Sequence, residues 1–195
     1  MDPDIKLYIC GKFTKTDGTD LDATNHTAGT NNFLHSLFSQ CTIALNGVNI
    51  TQSADSYNYR AYLETLLSYG NDADSSYLTN NYWYKDASDM LPCDPTKTES
   101  TNTGFIERWN KQSKKIEMYG RIHSDMCNVS KFLLPGVRLQ IKFPKAKPSF
   151  YLINTKAVST TTFNFLDAKV RPPHESPPEH PIGSRRYSVD RSRIL

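Results

Sequence analysis

The chain has no run of apolar residues close to the roughly 18 that a membrane-spanning helix needs, which argues against a helical anchor. It also lacks an excess of charge of one sign. The 23 Lys and Arg stand against 20 Asp and Glu, a formal net charge of +3. A dedicated nucleic-acid binder concentrates basic residues in a stripe. Here they are scattered, apart from Arg185, Arg186, Arg191 and Arg193, so specific nucleic-acid binding is not expected. Cysteine is scarce: Cys10, Cys41, Cys93 and Cys127 lie far apart with no C-x-x-C pair. That spacing does not suggest a disulfide framework and reads as reduced, half-buried thiols in an intracellular protein. The opening Met1-Asp2-Pro3-Asp4 is acidic and runs straight into a strand-like pattern, so no signal peptide is predicted. The sequons at Asn25, Asn49 and Asn128 therefore carry no expectation of glycosylation. No Gly-rich phosphate loop, Walker pattern or paired-carboxylate motif occurs.

What is present is a core-forming composition, with 11 Tyr, 9 Phe and 2 Trp in 195 residues. Ile5, Leu7, Ile9, Gly11 and Phe13 alternate with Lys6, Tyr8, Cys10 and Lys12. That period of two predicts a strand with one buried face. Asp17-Gly18 marks a turn, and the polar stretch 22–31 offers nothing to bury and is expected to be loop. Phe33, Leu34, Leu37 and Phe38 suit a short helix. Asn46-Gly47, flanked by Cys41–Leu45 and Val48–Thr51, predicts a hairpin because both residues accept positive φ in a type I′ turn.

A helix is predicted over 56–69. Tyr59, Tyr62, Leu63, Leu66 and Leu67 recur at helical spacing and form the stripe expected to pack on the core, with Arg60, Glu64 and Ser68 opposite. Asp55 or Ser56 suits its start and Gly70 its end. A tyrosine-rich stretch (71–85) and a Pro/Ser/Thr loop (87–103) follow, then strand patterns over 115–123, 137–143, 149–153 and 161–170, with a weaker one near Phe105–Trp109. The sum is an all-β chain of about eight strands with one or two short helices, a β-sandwich or barrel. Residues 1–171 form the predicted domain, and 172–195 a Pro-rich, disordered or linker-like tail.

Several groups invite a chemical reading. His123-Ser124-Asp125 holds the residue types of a hydrolase triad, but neighbours on a strand alternate faces and three in a row do not converge. A hydrogen-bonded turn is expected there. His123 and Cys127, with Cys41 or Cys93, could be drawn as zinc ligands, but only one close pair exists where structural zinc sites show two. Tyr82-Trp83-Tyr84, with Tyr77, is the candidate ligand platform, since aromatic faces stack on sugars; core or interface filling is the plainer expectation. Arg138, Lys142, Lys145 and Lys147 make a basic strand edge of the kind that guards against aggregation. No catalytic residue, metal ligand or cofactor is predicted.

The wording of several segments goes further than pattern. Asn32-Phe-Leu-His-Ser-Leu-Phe-Ser-Gln40, a strand ending Leu45-Asn46-Gly47, and Tyr57-Asn-Tyr-Arg-Ala-Tyr-Leu-Glu-Thr-Leu-Leu-Ser-Tyr-Gly70 follow one another. Downstream come Gly120-Arg-Ile-His-Ser-Asp125, Leu133-Leu-Pro-Gly-Val137, Arg138-Leu-Gln-Ile-Lys142, Lys147-Pro-Ser-Phe150 and Phe165-Leu-Asp-Ala-Lys169. Over about residues 5–171 this order of blocks resembles the major capsid proteins of Polinton (Maverick) DNA elements, relatives of virophage capsid proteins.

The resemblance implies a jelly-roll β-sandwich, one half of a double jelly roll, in a structural protein and not an enzyme. Its partner would be itself: homotrimeric capsomers tile a virion shell, with loops such as 71–103 making tower or intersubunit contacts. It implies no membrane, small-molecule or specific nucleic-acid partner. Assembly would take place in the host cytoplasm or nucleus. Family members run to several hundred residues, and the agreement fades after Val170, although 186–191 resembles the connector to the second jelly roll. A truncated copy is the expectation, and with it an apolar surface built for burial left exposed. The alternative is a β-sandwich binding module, for carbohydrate, centred on Tyr82, Trp83 and Tyr84.

Overall fold

The computed structural model describes residues 5–21, 26–51, 56–87, 102–112, 114–128, 137–154 and 161–171, and the backbone of 187–189. In chain order the elements are β1 (Lys6–Lys15), β2 (Thr27–Gly29), α1 (Phe33–Ser36), β3 (Thr42–Leu45), β4 (Val48–Asn49), α2 (Tyr57–Ser68) and α3 (Asn71–Asp74). A 3-10 turn over Tyr77–Asn81 leads to α4 (Thr103–Asn110), β5 (Ile116–Arg121) and a second 3-10 turn over Asp125–Cys127. The remainder is β6 (Leu139–Lys142), α5 (Pro148–Tyr151), β7 (Leu152–Asn154), β8 (Thr161–Arg171) and β9 (Tyr187–Val189).

The predicted strand at the start of the chain is the centre of the first sheet. β1 pairs antiparallel with β5 on one side and β8 on the other, so that Leu7 lies between Gly120 and Val170. Leu7, Ile9 and Phe13 are fully buried, as the alternation requires. A bulge at Cys10/Gly11 shifts the register against β8, and Cys10 beside it is buried as well. A second sheet joins β2 to β7, and a third runs β4-β3-β6-β9, antiparallel except for the parallel β6–β9 pair. The Asn46-Gly47 hairpin forms as predicted, with φ of 50° and 87° at the two turn residues. One core joins all three sheets through residues such as Leu7, Ile43, Ile141, Leu152 and Phe163.

α1 lies inside that core with all four of its residues buried. Phe33 touches Phe13 and Phe163 at ring distances of 5.1 Å each and Tyr82 at 5.7 Å. Helix occurs in more places than the one or two predicted. The strand expected near Phe105–Trp109 is instead α4, because the Asn102 side chain accepts from the Phe105 amide at 3.1 Å and caps the turn. Gly104, Phe105 and Arg108 are its buried residues. The strand expected over 149–153 begins as α5, with Pro148 in the first helical turn, and only 152–154 is extended.

The largest departure is the orientation of α2. Its buried residues are Tyr57, Asn58, Ala61 and Thr65, and the predicted core stripe points outward. Leu67 is 82% exposed, Tyr59 59% and Leu63 54%, with Leu66 and Tyr62 also exposed. Periodicity identifies a stripe but does not say which side of a helix the body occupies. Here the small Ala61 and the self-bonded Thr65, whose hydroxyl donates to the Ala61 carbonyl at 2.8 Å, allow close approach. Ser56 stands at the N-cap without a side-chain bond, and Gly70 begins the turn into α3 instead of closing α2 in a left-handed conformation. Asp55 lies outside the described residues, as do residues 88–101 of the loop. Of the predicted tail, Tyr187–Val189 is strand. No helix among the described residues is long and apolar enough to cross a membrane.

Candidate functional site

α2 carries one feature on each face. Outward are Tyr59, Tyr62, Leu63, Leu66 and Leu67, with no charge among them. The two charged residues of the helix, Arg60 and Glu64, sit four apart and join at 2.6 Å. Both are drawn to the segment after β5. Arg60 bonds the Asp125 carboxylate, and Glu64 Oε2 meets His123 Nδ1 at 2.7 Å and Arg121 at 3.9 Å. The polar tethers of α2 therefore leave its outer face neutral and apolar.

Beneath the helix lies a buried histidine pair. His35 of α1 and His123 pack edge to face, with ring centroids 4.7 Å apart and planes at 89°. They are 0% and 2% exposed. His35 Nδ1 lies 3.0 Å from the Tyr57 hydroxyl. The His123 backbone amide also bonds Tyr57. That hydroxyl accepts from the amide and pairs with His35 Nδ1, with the direction of the second bond set by the ring's tautomer. His123 donates from Nδ1 to Glu64. Among the described residues neither Nε2 has a hydrogen-bond partner.

Burial pushes the His35 ring well below the ordinary histidine range, and the neighbouring His123 and Arg121 push it the same way. Burial also lowers His123, although the Glu64 hydrogen bond pulls against it. Glu64 is raised by burial, but hydrogen bonds from Arg60 and His123 overcome this and hold it below the ordinary carboxylate range. Burial drives Tyr57 and Cys41 upward. At neutral pH the centre thus holds two neutral rings, a neutral phenol, a thiol and one carboxylate. An activated nucleophile is not among them.

A cleft of about 730 Å³ opens beside this centre, between Tyr57, Arg60 and His123 on one side and Cys41, Ile50 and Met126 on the other. His123-Ser124-Asp125 borders it, but the members take separate partners: His123 faces Glu64 and Asp125 faces Arg60. Among the described residues no group of three His, Cys, Asp or Glu side chains is placed to hold a metal. His123, Cys127 and Cys41 are described; Cys93 lies outside the described residues.

The aromatic platform is placed differently from an open stacking face. Tyr82 and Trp83 are 3% and 1% exposed, and Tyr84 is half-buried. Tyr82 takes a left-handed φ of 63° and donates its hydroxyl to the Arg108 carbonyl at 2.9 Å. Trp83 lies under Tyr62 of α2 at 5.1 Å, and Lys111 sits 4.1 Å above the Tyr84 ring. Tyr77 stacks on Tyr69 at 6.0 Å. On the basic edge, Lys145 turns inward, donating to the Phe163 carbonyl at 2.9 Å over the Phe165 ring.

Sequence reasoning missed the histidine pair, since His35 and His123 are 88 positions apart and join only when α1 meets the end of β5. The one local signal was Arg60 and Glu64 at i, i+4 with no third charge on the helix. No protein-family model matches the chain, and no curated protein or solved structure matches it either.

Proposed function

We propose that the chain is a structural protein that acts by self-association, the first jelly-roll portion of a Polinton-type double-jelly-roll capsid protein. The observation that carries this reading is the outer face of α2, where five large apolar side chains are exposed on one helix with no charge between them. A contiguous apolar patch of this kind marks a surface meant to be covered. Obligate interfaces are hydrophobic in this way and bury about 2,000 Å² or more.

Two further observations support it. The blocks that resemble the capsid family, 32–40, 57–70 and 120–125, are distant in sequence and meet around His35, Tyr57 and His123. In this reading the β5-β1-β8 and β4-β3-β6-β9 sheets are the two walls of the jelly roll, and they share one core. A carbohydrate-binding module would need ring faces open to solvent, and Tyr82 and Trp83 do not offer them.

Light scattering on the purified chain, with negative-stain images of the same fraction, tests the proposal. A discrete trimer or larger ordered assembly is expected. A monomer at all concentrations would overturn it.

A further inference from the structure

We propose that the His35–His123 pair is an acid-sensitive latch that holds α2 against the body and releases it when the rings take up protons. The latch stands on the geometry of the pair alone; its effect on assembly rests on the self-association proposed above.

The polar attachments of α2 converge on this pair. Tyr57 meets His35, Glu64 meets His123, and Arg60 ties Glu64 to Asp125. The rest of the buried face is Asn58, Ala61 and Thr65, which adds little apolar area. Beyond the His35 contact, the ring contacts of α2 among the described residues are Tyr57 with Phe143, Tyr62 with Trp83 and Tyr59 with Phe150. α2 is therefore the element that can move when the pair is disturbed.

Protonation breaks the arrangement at specific atoms. A charged His35 ring carries a proton on both nitrogens, and among the described residues its Nε2 has no acceptor. At His123 the added proton goes to Nε2, which also has no acceptor among the described residues. Glu64 can balance one positive ring. A second would stand 4.7 Å from the first, with both rings buried.

The surrounding groups do not relieve this. α1 presents only His35, and α2 presents Tyr57, Arg60 and Glu64. β5 adds Arg121, whose charge opposes ring protonation, and the turn beyond it adds Asp125, already held by Arg60. Cys41 and Cys127 border the site as buried thiols. Swinging α2 away gives both rings water and an ordinary affinity for protons. Each ring that is neutral when closed and charged when open shifts the balance toward the open form by up to about tenfold per pH unit below about 6.5.

Hydrogen exchange of the full chain from about pH 7.5 to about pH 5, a range that brackets ordinary histidine titration, tests the latch. After correction for intrinsic rates, exchange over 57–68 should rise by about tenfold per pH unit or more below about 6.5, while β1 stays protected. In a Trp109→Phe chain the Trp83 emission should shift red over the same range, since Tyr62 leaves its ring. His35→Phe, which keeps an aromatic edge but cannot take a proton, should lower the logarithmic slope. His123→Gln serves as a second variant that keeps a donor to Glu64.

Protection of 57–68 that is unchanged down to about pH 5 would overturn the proposal, as would a full slope in both variants. Exchange reads the helix whether or not the chain associates. A monomer that opens with acid thus keeps the latch and loses the assembly reading. An assembly with an acid-indifferent α2 does the reverse.

Discussion

Arg108 is fully buried, and its guanidinium meets the Asp86 carboxylate at 2.7 Å. The same group donates to the Gly29 carbonyl at 2.9 Å and to the Tyr84 carbonyl. One cation thus fastens α4 to β2 and to the segment that follows Trp83. Asn102, which caps α4, also donates to Asp86 at 3.0 Å. Removing the carboxylate leaves a desolvated cation without a counter-charge, a change that costs about 3–5 kcal/mol where both partners are buried. Asp86 retains some exposure, 27%, so Asp86→Ala should cost about 2–3 kcal/mol, at or below the lower end of that range. Denaturant unfolding of the variant against the parent measures it. A loss below about 0.5 kcal/mol, typical of an exposed ion pair, would refute this account of Arg108.

Gly104 sits inside α4, where Ala would ordinarily be favoured by about 1 kcal/mol. A Cβ at this position would press into the carbonyl of Lys85 well inside contact distance, and the obstacle is backbone. The crowding outweighs propensity, since overpacking costs about 1–3 kcal/mol when neighbours cannot yield. Gly104→Ala is therefore expected to lower the unfolding midpoint. A raised midpoint would mean that α4 and the 84–85 segment are not in contact.

Global stability should depend on pH with a definite sign. Both His35 and His123 have affinities for protons below the unfolded value near about 6.5, so the unfolded chain binds more protons as pH falls. Their contribution is fully present above about 6.5 and is lost progressively below it, by at most about 1.4 kcal/mol per pH unit for each ring. Denaturation midpoints taken between about pH 7.5 and about pH 5 should fall, and His35→Phe should flatten the decline. Stability that rises toward acid would contradict the neutral pair.

Much of the fold was legible in local chemistry. β1 and the Asn46-Gly47 hairpin stand where alternation and positive-φ residues put them. α4 was hidden because its cap is Asn102 and its buried residues are Gly104, Phe105 and Arg108, too little for a periodic apolar signal. The α2 stripe was legible but its direction was not. A helix with a strong apolar face and a weak one of Tyr57, Ala61 and Thr65 is assigned the strong face by any pattern argument. The structure inverts that assignment because Arg60 and Glu64 find partners on the body, at Asp125 and His123. The histidine pair depends on tertiary contacts that no spacing in the chain encodes.

The central claim is that the outer face of α2 is an interface between copies. Sedimentation velocity on the parent and on a Leu63→Asp, Leu67→Asp double variant tests it most directly, because both residues are exposed and neither touches the core. The account predicts a discrete assembly for the parent and a folded monomer for the variant, with the far-ultraviolet dichroism of the two alike. An assembly that survives both aspartates, or a parent that is monomeric throughout, would contradict it.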